Sequence, residues 1–140
     1  MSSEATLVRD RAILIVDDEP LILMALRREL RDGLGPGYLY ETAGDGEEGL
    51  EIVEELVASG IRVVLVVSDW LMPGMKGDEF LLELRRRYPQ IRTIMMTGQA
   101  DEHQIERIKQ AGALDAFFFK PWNALHFSET CKTLIAAASA

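Results

Sequence analysis

Three carboxylates, a hydroxyl and an amine each follow a short apolar run: Asp17 and Asp18 after 12–16, Asp69 after 63–68, Thr97 after 94–96, and Lys120 after 117–119. Apolar runs this short, cut off by polar residues, predict strands buried on both faces. In a parallel α/β sheet the strand C-termini share one rim, and ligands bind there. Acidic, hydroxyl and amine groups would then meet in a single cleft. Carboxylate oxygens suit Mg²⁺, and an ammonium and a hydroxyl suit phosphate oxygens, so the combination points to phosphoryl chemistry beside a divalent cation.

The elements that must position these groups can be read along the chain. After a mobile polar lead-in over 1–10, Pro20 suits a first helical turn, and Ile22, Ala25, Leu26 and Leu30 recur at helical spacing until the breaker Gly33-Leu34-Gly35-Pro36-Gly37. A second strand is predicted at 38–43, and Asp45-Gly46 opens a helix bearing Leu50, Val53, Leu56 and Val57, closed by Ser59-Gly60. The β-branched run 61–67 reads as the central strand; Met72-Pro73-Gly74 is a loop, and Phe80, Leu81 and Leu84 mark a helix stopped at Tyr88-Pro89. A strand near 91–96, a helix over 101–110, a strand over 116–119 and a last helix over 123–137 complete five strand–helix alternations. That alternation predicts a flavodoxin-like, doubly wound parallel sheet in the order 2-1-3-4-5 with five helices, whose switch point lies between strands 1 and 3. Asp17, Asp18 and Asp69 follow those two strands. One folded domain is expected over 11–138, with 139–140 as a tail.

A chain of 140 residues supports one core. Its net charge of −8 argues against a nucleic-acid phosphate backbone as the partner of this domain. The single cysteine, Cys131, excludes an internal disulfide and is expected half-buried on the last helix. The first ten residues lack the apolar core of a signal peptide, and no apolar run reaches about 18 residues, so a cytoplasmic protein without a membrane partner is expected.

The motifs Val16-Asp17-Asp18-Glu19-Pro20, Asp69-Trp70-Leu71-Met72-Pro73-Gly74-Met75-Lys76-Gly77, Met96-Thr97-Gly98, Ala111-Gly112-Ala113 and Lys120-Pro121 resemble, in this order, the receiver domain of bacterial two-component response regulators, the chemotaxis regulator among them. The resemblance covers nearly the whole chain. Singly, each residue has an ordinary role: Asp17 and Asp18 could cap a helix, Asp69 and Thr97 could serve turns, Lys120 could snorkel and Phe117 could pack in the core. Their joint order carries the inference.

What the resemblance implies is a signalling switch. Asp69 would accept a phosphoryl group from a phosphohistidine on a sensor histidine kinase or a histidine phosphotransfer protein. One Mg²⁺ would be held by Asp18 and Asp69 directly, by Asp17 mostly through water, and by the backbone carbonyl of Leu71. Lys120 would pair with the phosphoryl group, Thr97 would move to hydrogen-bond it, and Phe117 would turn inward to fill the space left, changing the surface formed by the fourth helix, fifth strand and fifth helix. The same resemblance implies a cis peptide between Lys120 and Pro121, and it places Leu71 and Gln99 beside the approach of the hydrolytic water. Trp122, with the stretch 97–101, resembles receivers fused to phosphodiesterase, cyclase or ATPase outputs. The partner on the output side is open; a monomer or a phosphorylation-dependent dimer is expected, because the last helix lacks the charge pattern through which one transcription-factor subfamily dimerises.

Three other functions fit parts of the pattern. A haloacid-dehalogenase-type phosphatase also uses a strand-end Asp, Mg²⁺, Thr and Lys, but wants an acid two residues after its nucleophile, where Leu71 follows Asp69. A flavin binder needs a hydroxyl- and Gly-rich loop after strand 1, and Asp17-Asp18-Glu19-Pro20 would repel its phosphate. A receiver-shaped interaction domain without chemistry is the third. On the first helix, Leu21 and Met24 lie opposite the apolar stripe and beside the acidic pocket, which makes them candidates for kinase docking.

Overall fold

The computed structural model describes residues 9–99 and 101–139, the side chains of 138 and 139 excepted. The expected lead-in therefore lies outside the described residues except for Arg9 and Asp10, as does residue 140 of the expected tail. Five strands and five helices alternate: β1 (Arg11–Val16), α1 (Pro20–Leu34), β2 (Leu39–Ala43), α2 (Gly46–Ala58), β3 (Arg62–Asp69), α3 (Gly77–Arg87), β4 (Arg92–Thr97), α4 (Glu102–Gln110), β5 (Ala116–Phe119) and α5 (Ala124–Ser139). All pairings are parallel and the order is β2-β1-β3-β4-β5, the flavodoxin-like arrangement.

Helices cover both faces, which is why the strands read as unbroken apolar runs and not as alternating ones. Ala12, Leu14 and Val16 of β1 face a core built with Leu50 and Val53 of α2, Phe80, Leu81 and Leu84 of α3, and Ile105 and Ile108 of α4. Ile13 and Ile15 face the opposite core, with Leu26 and Leu30 of α1 and Phe127, Cys131 and Ile135 of α5. The β1–β3 register jumps from Ala12↔Val63 to Ile13↔Leu65. Val64 is thus an extra residue, and the slip puts Val64 and Leu65 in the same core.

Local chemistry sets the helix ends. Pro20 occupies the first turn of α1, and Gly35 ends it at φ 90°, donating its N–H to the Arg31 carbonyl. At α2 the Asp45 side chain accepts from the Glu48 N–H at 2.8 Å, while the Glu48 carboxylate accepts from the Gly44 N–H at 3.2 Å. Asp101 caps α4 through the His103 N–H.

The structure corrects several side-chain expectations. Ala25 is exposed, and the apolar stripe of α1 is completed by the partly buried Leu23, because Ala25 sits one position round the helix from Leu26. Val57 is exposed near the end of α2. Cys131 is wholly buried against the α1 side of the sheet, deeper than the expected half-burial. Of the three phenylalanines of β5 only Phe118 is buried. Strand alternation turns Phe117 and Phe119 to the other face, where they meet edge to face at 4.8 Å with Phe119 59% exposed.

Candidate functional site

Because the strands are parallel, with Val16 paired to Ser68, Ser68 to Met95 and Asp69 to Met96, their C-termini gather at one edge of the sheet, and the residues there form a rim. Asp17 leaves β1 with its N–H donated to the Ala43 carbonyl, and its Oδ1 accepts the Glu19 N–H at 2.9 Å. Asp69 is the last residue of β3, and its Oδ1 accepts the Trp70 N–H at 2.8 Å. Thr97 is the last residue of β4; its carbonyl accepts the Lys120 N–H at 2.8 Å, which ties the end of β5 to the same rim.

The expected carboxylates do converge: one oxygen from each of Asp17, Asp18 and Asp69 lies within 4.8 Å of the others. Asp17 and Asp69 are buried and Asp18 is exposed, so the cluster opens to solvent on one side. The Lys120 Nζ donates to Asp17 Oδ2 at 2.8 Å and stands 3.6 Å from Asp69 Oδ1. Burial of that ammonium works against its charge, but the hydrogen bond to Asp17 and the fields of Asp69 and Asp17 outweigh it and hold its pKa above the ordinary value. At Asp69 a rise in pKa instead disfavours the charged form. Burial, reinforced by the Asp17 charge and opposed by Lys120, pushes its carboxyl up to about 6. A buried anion crowded by anions is a demand for more positive charge than one lysine supplies, and three converging hard oxygens suit an ion such as Mg²⁺.

A cavity of about 460 Å³ opens over Asp69, lined also by Asp18, Glu19, Leu71, Thr97, Gln99 and Lys120. Leu71 and Gln99, which the resemblance puts beside the approach of the hydrolytic water, both line this cavity. The Thr97 hydroxyl, buried, donates to the Gln99 carbonyl at 2.9 Å and accepts the Gln99 N–H at 3.2 Å, a local turn that turns it to its own loop. Phe117 is half-buried at the side of the α2–α3–α4 core. The Lys120–Pro121 peptide is cis.

The sequence motifs contain Glu19 and Trp70 but assign neither a role at the site. Glu19 lines the cavity and adds to the field on Lys120, and Trp70 fixes Asp69 through its backbone N–H, which no side-chain pattern announces. Gly77 belongs to the site through space and not through backbone freedom: it is not among the positive-φ residues, and the left-handed residue of the loop is Gly74. A Cβ at Gly77 would lie 2.1 Å from the Asp69 carbonyl oxygen and 2.8 Å from the Trp70 Cα, so only glycine lets α3 start against the backbone that carries Asp69. Leu21 and Met24 are both strongly exposed on α1.

The response regulator receiver domain model matches residues 13–132, and the chain belongs to that family of two-component signalling domains. It is 31% identical over 128 residues to the chemotaxis protein CheY-3 of Vibrio cholerae, a match covering 90% of this chain and 92% of that protein. It is also 37% identical over 123 residues to the sensor kinase CckA of Brucella abortus and 36% identical over 101 residues to the transcriptional activator ExaE of Pseudomonas putida, covering 88% and 72% of this chain. The chain spans only 12% of CckA and 44% of ExaE. Among solved structures it resembles a CheY-like receiver domain from Methanospirillum hungatei, with TM-score 0.79, 29% identity and coverage of 92% of this chain and 96% of that one. Among the described residues no helix is long and apolar enough to cross a membrane.

Proposed function

We propose that this domain is a cytoplasmic phosphoacceptor switch in which Asp69 takes a phosphoryl group from a phosphohistidine of a sensor kinase or phosphotransfer protein. The observation that carries this reading is the carboxylate of Asp69, buried at the rim, open to a cavity, and within 3.6 Å of an ammonium that can follow the phosphoryl group. In the transfer, an Asp69 carboxylate oxygen forms the new bond to phosphorus as the P–N bond to imidazole breaks, and the imidazole leaves with the electron pair and takes a proton. Asp17, Asp18, Asp69 and the carbonyl of Leu71 would hold Mg²⁺. When bound, the ion neutralises charge between the carboxylates and the phosphate oxygens.

Lys120 then exchanges part of its pairing with Asp17 for the phosphoryl oxygens. Thr97 leaves its turn with Gln99 to donate its hydroxyl to the phosphoryl group, and Phe117 closes on the space it vacates. Phenylalanine fills that space without presenting a hydroxyl, so the readout on α4, β5 and α5 is one of shape and apolar area. Leu21 and Met24 on α1 provide the apolar contact for the kinase helices. Incubation with acetyl phosphate and Mg²⁺ followed by mass spectrometry tests the reading: one acid-labile adduct on Asp69, absent in Asp69→Asn, is the expected result, and label elsewhere or an undiminished variant would refute it.

A further inference from the structure

At the pole opposite the phosphoacceptor, a cavity of about 380 Å³ is lined by Arg9, Arg27, Arg31, Tyr38, Tyr40 and Glu41. The six residues of β1 separate the two poles, roughly 20 Å at the usual strand rise. Three guanidinium groups in one hollow are unexpected in a chain of net charge −8. None of the three makes a salt bridge among the described residues; the ion pairs are elsewhere, chiefly around Asp115, Glu83 and Lys120. Among the described residues Glu41 is the acidic side chain lining the hollow, and these lining residues carry a surplus of two positive charges.

The hollow also has a prepared wall. The Arg31 guanidinium lies over the Tyr40 ring at 5.6 Å, and Tyr40 is pinned by its hydroxyl, which donates to the Gly35 carbonyl at 2.6 Å. From a neighbouring cavity that shares Tyr38, Arg11 lies over the Tyr38 ring at 4.5 Å. Ring stacking limits where a guanidinium can swing while leaving its N–H edge free to donate.

We propose that this hollow is a binding site for a small phosphate-bearing molecule, held by Arg9, Arg27 and Arg31. A single carboxylate is saturated by one guanidinium fork, whereas a phosphate offers three oxygens to several. The volume suits a small molecule and is too small for a folded partner. The site is separate from the phosphoacceptor and does not depend on that assignment.

The test is a titration of the metal-free protein with pyrophosphate and, separately, with ribose 5-phosphate, following the backbone amide resonances of 38–41. Saturable shifts with either ligand are expected, and the better ligand tells whether free phosphate or a phosphate ester is preferred. Arg27→Gln with Arg31→Gln should weaken the binding by at least about tenfold, the loss of one charge-assisted hydrogen bond. Arg9→Gln, which removes no ring contact, should weaken it as well, and it decides the matter if the double variant fails to fold. Shifts that rise without saturating, or that sulfate reproduces equally at matched ionic strength, would overturn the proposal, as would unchanged affinity in Arg9→Gln.

Discussion

The Asp69 carboxylate costs the fold stability at neutral pH. Its pKa, raised from 3.8 to about 6 by burial and by the Asp17 charge, means that the folded state holds this proton more tightly than the unfolded chain does. Its stabilising contribution is complete below about 3.8 and is lost as pH rises through about 6. Metal-free Asp69→Asn should therefore be more stable than the parent at pH 8, by roughly 3 kcal/mol at most, with the gap closing toward pH 4. Urea denaturation at the two pH values checks it; a pH-independent gap would mean that charge is not the cause. Leu71, 48% exposed at the cavity mouth, supplies apolar cover and no hydrogen bond to an incoming water. Leu71→Asn should accelerate loss of the phosphoryl group by about tenfold, and Gln99→Ala should slow it, as followed by decay of label with Mg²⁺ and no partner protein.

The start of α3 and the outer face of α1 each lend themselves to a test of how elements hold the site. Gly77→Ala must push a methyl group against the Asp69 carbonyl oxygen, so the β3 end or the helix has to move. The expected cost is about 1–3 kcal/mol in denaturant unfolding together with slower phosphorylation, whereas Gly37→Ala, in open space, should change neither. On α1, Leu21 and Met24 are 78% and 67% exposed beside the rim, a turn apart. Met24→Lys should slow transfer from the cognate kinase by about tenfold, the scale of one lost apolar contact in an interface, and leave acetyl phosphate labelling unchanged. Equal losses with both donors would place the damage in the site and not in docking.

Across the whole molecule, two apolar cores clasp one sheet, and Cys131 lies at zero exposure in one of them. Burial pushes its thiol up to about 12, so it is protonated as well as covered. Reaction with a thiol reagent at pH 8 must wait for opening of the α5 side of the core. Labelling should be slower than in the urea-unfolded chain by about a thousandfold or more and should accelerate with urea in step with global unfolding. Rapid labelling of the native protein would show that α5 detaches on its own.

Much of this was legible in the residue order. Apolar runs ended by Asp17, Asp18, Asp69, Thr97 and Lys120 defined the strands, the parallel sheet and the rim, because a strand covered on both faces needs an unbroken apolar run and the first polar residue after it marks where it emerges. Packing decided the rest. Period-two alternation within β5 settled that Phe118 is core while Phe119 is not, a distinction invisible in three identical letters. The bulge at Val64 reset which valines face which core, since a slip of one residue turns the pleat over. Gly77 is required by the closeness of the Asp69 backbone, and the pairing of Lys120 with Asp17, 103 residues away in sequence, exists only because the parallel sheet brings the C-termini of its strands to one edge. Nothing in the residue order links Arg9 with Arg27 and Arg31, and only the fold gathers them around Tyr38 and Tyr40.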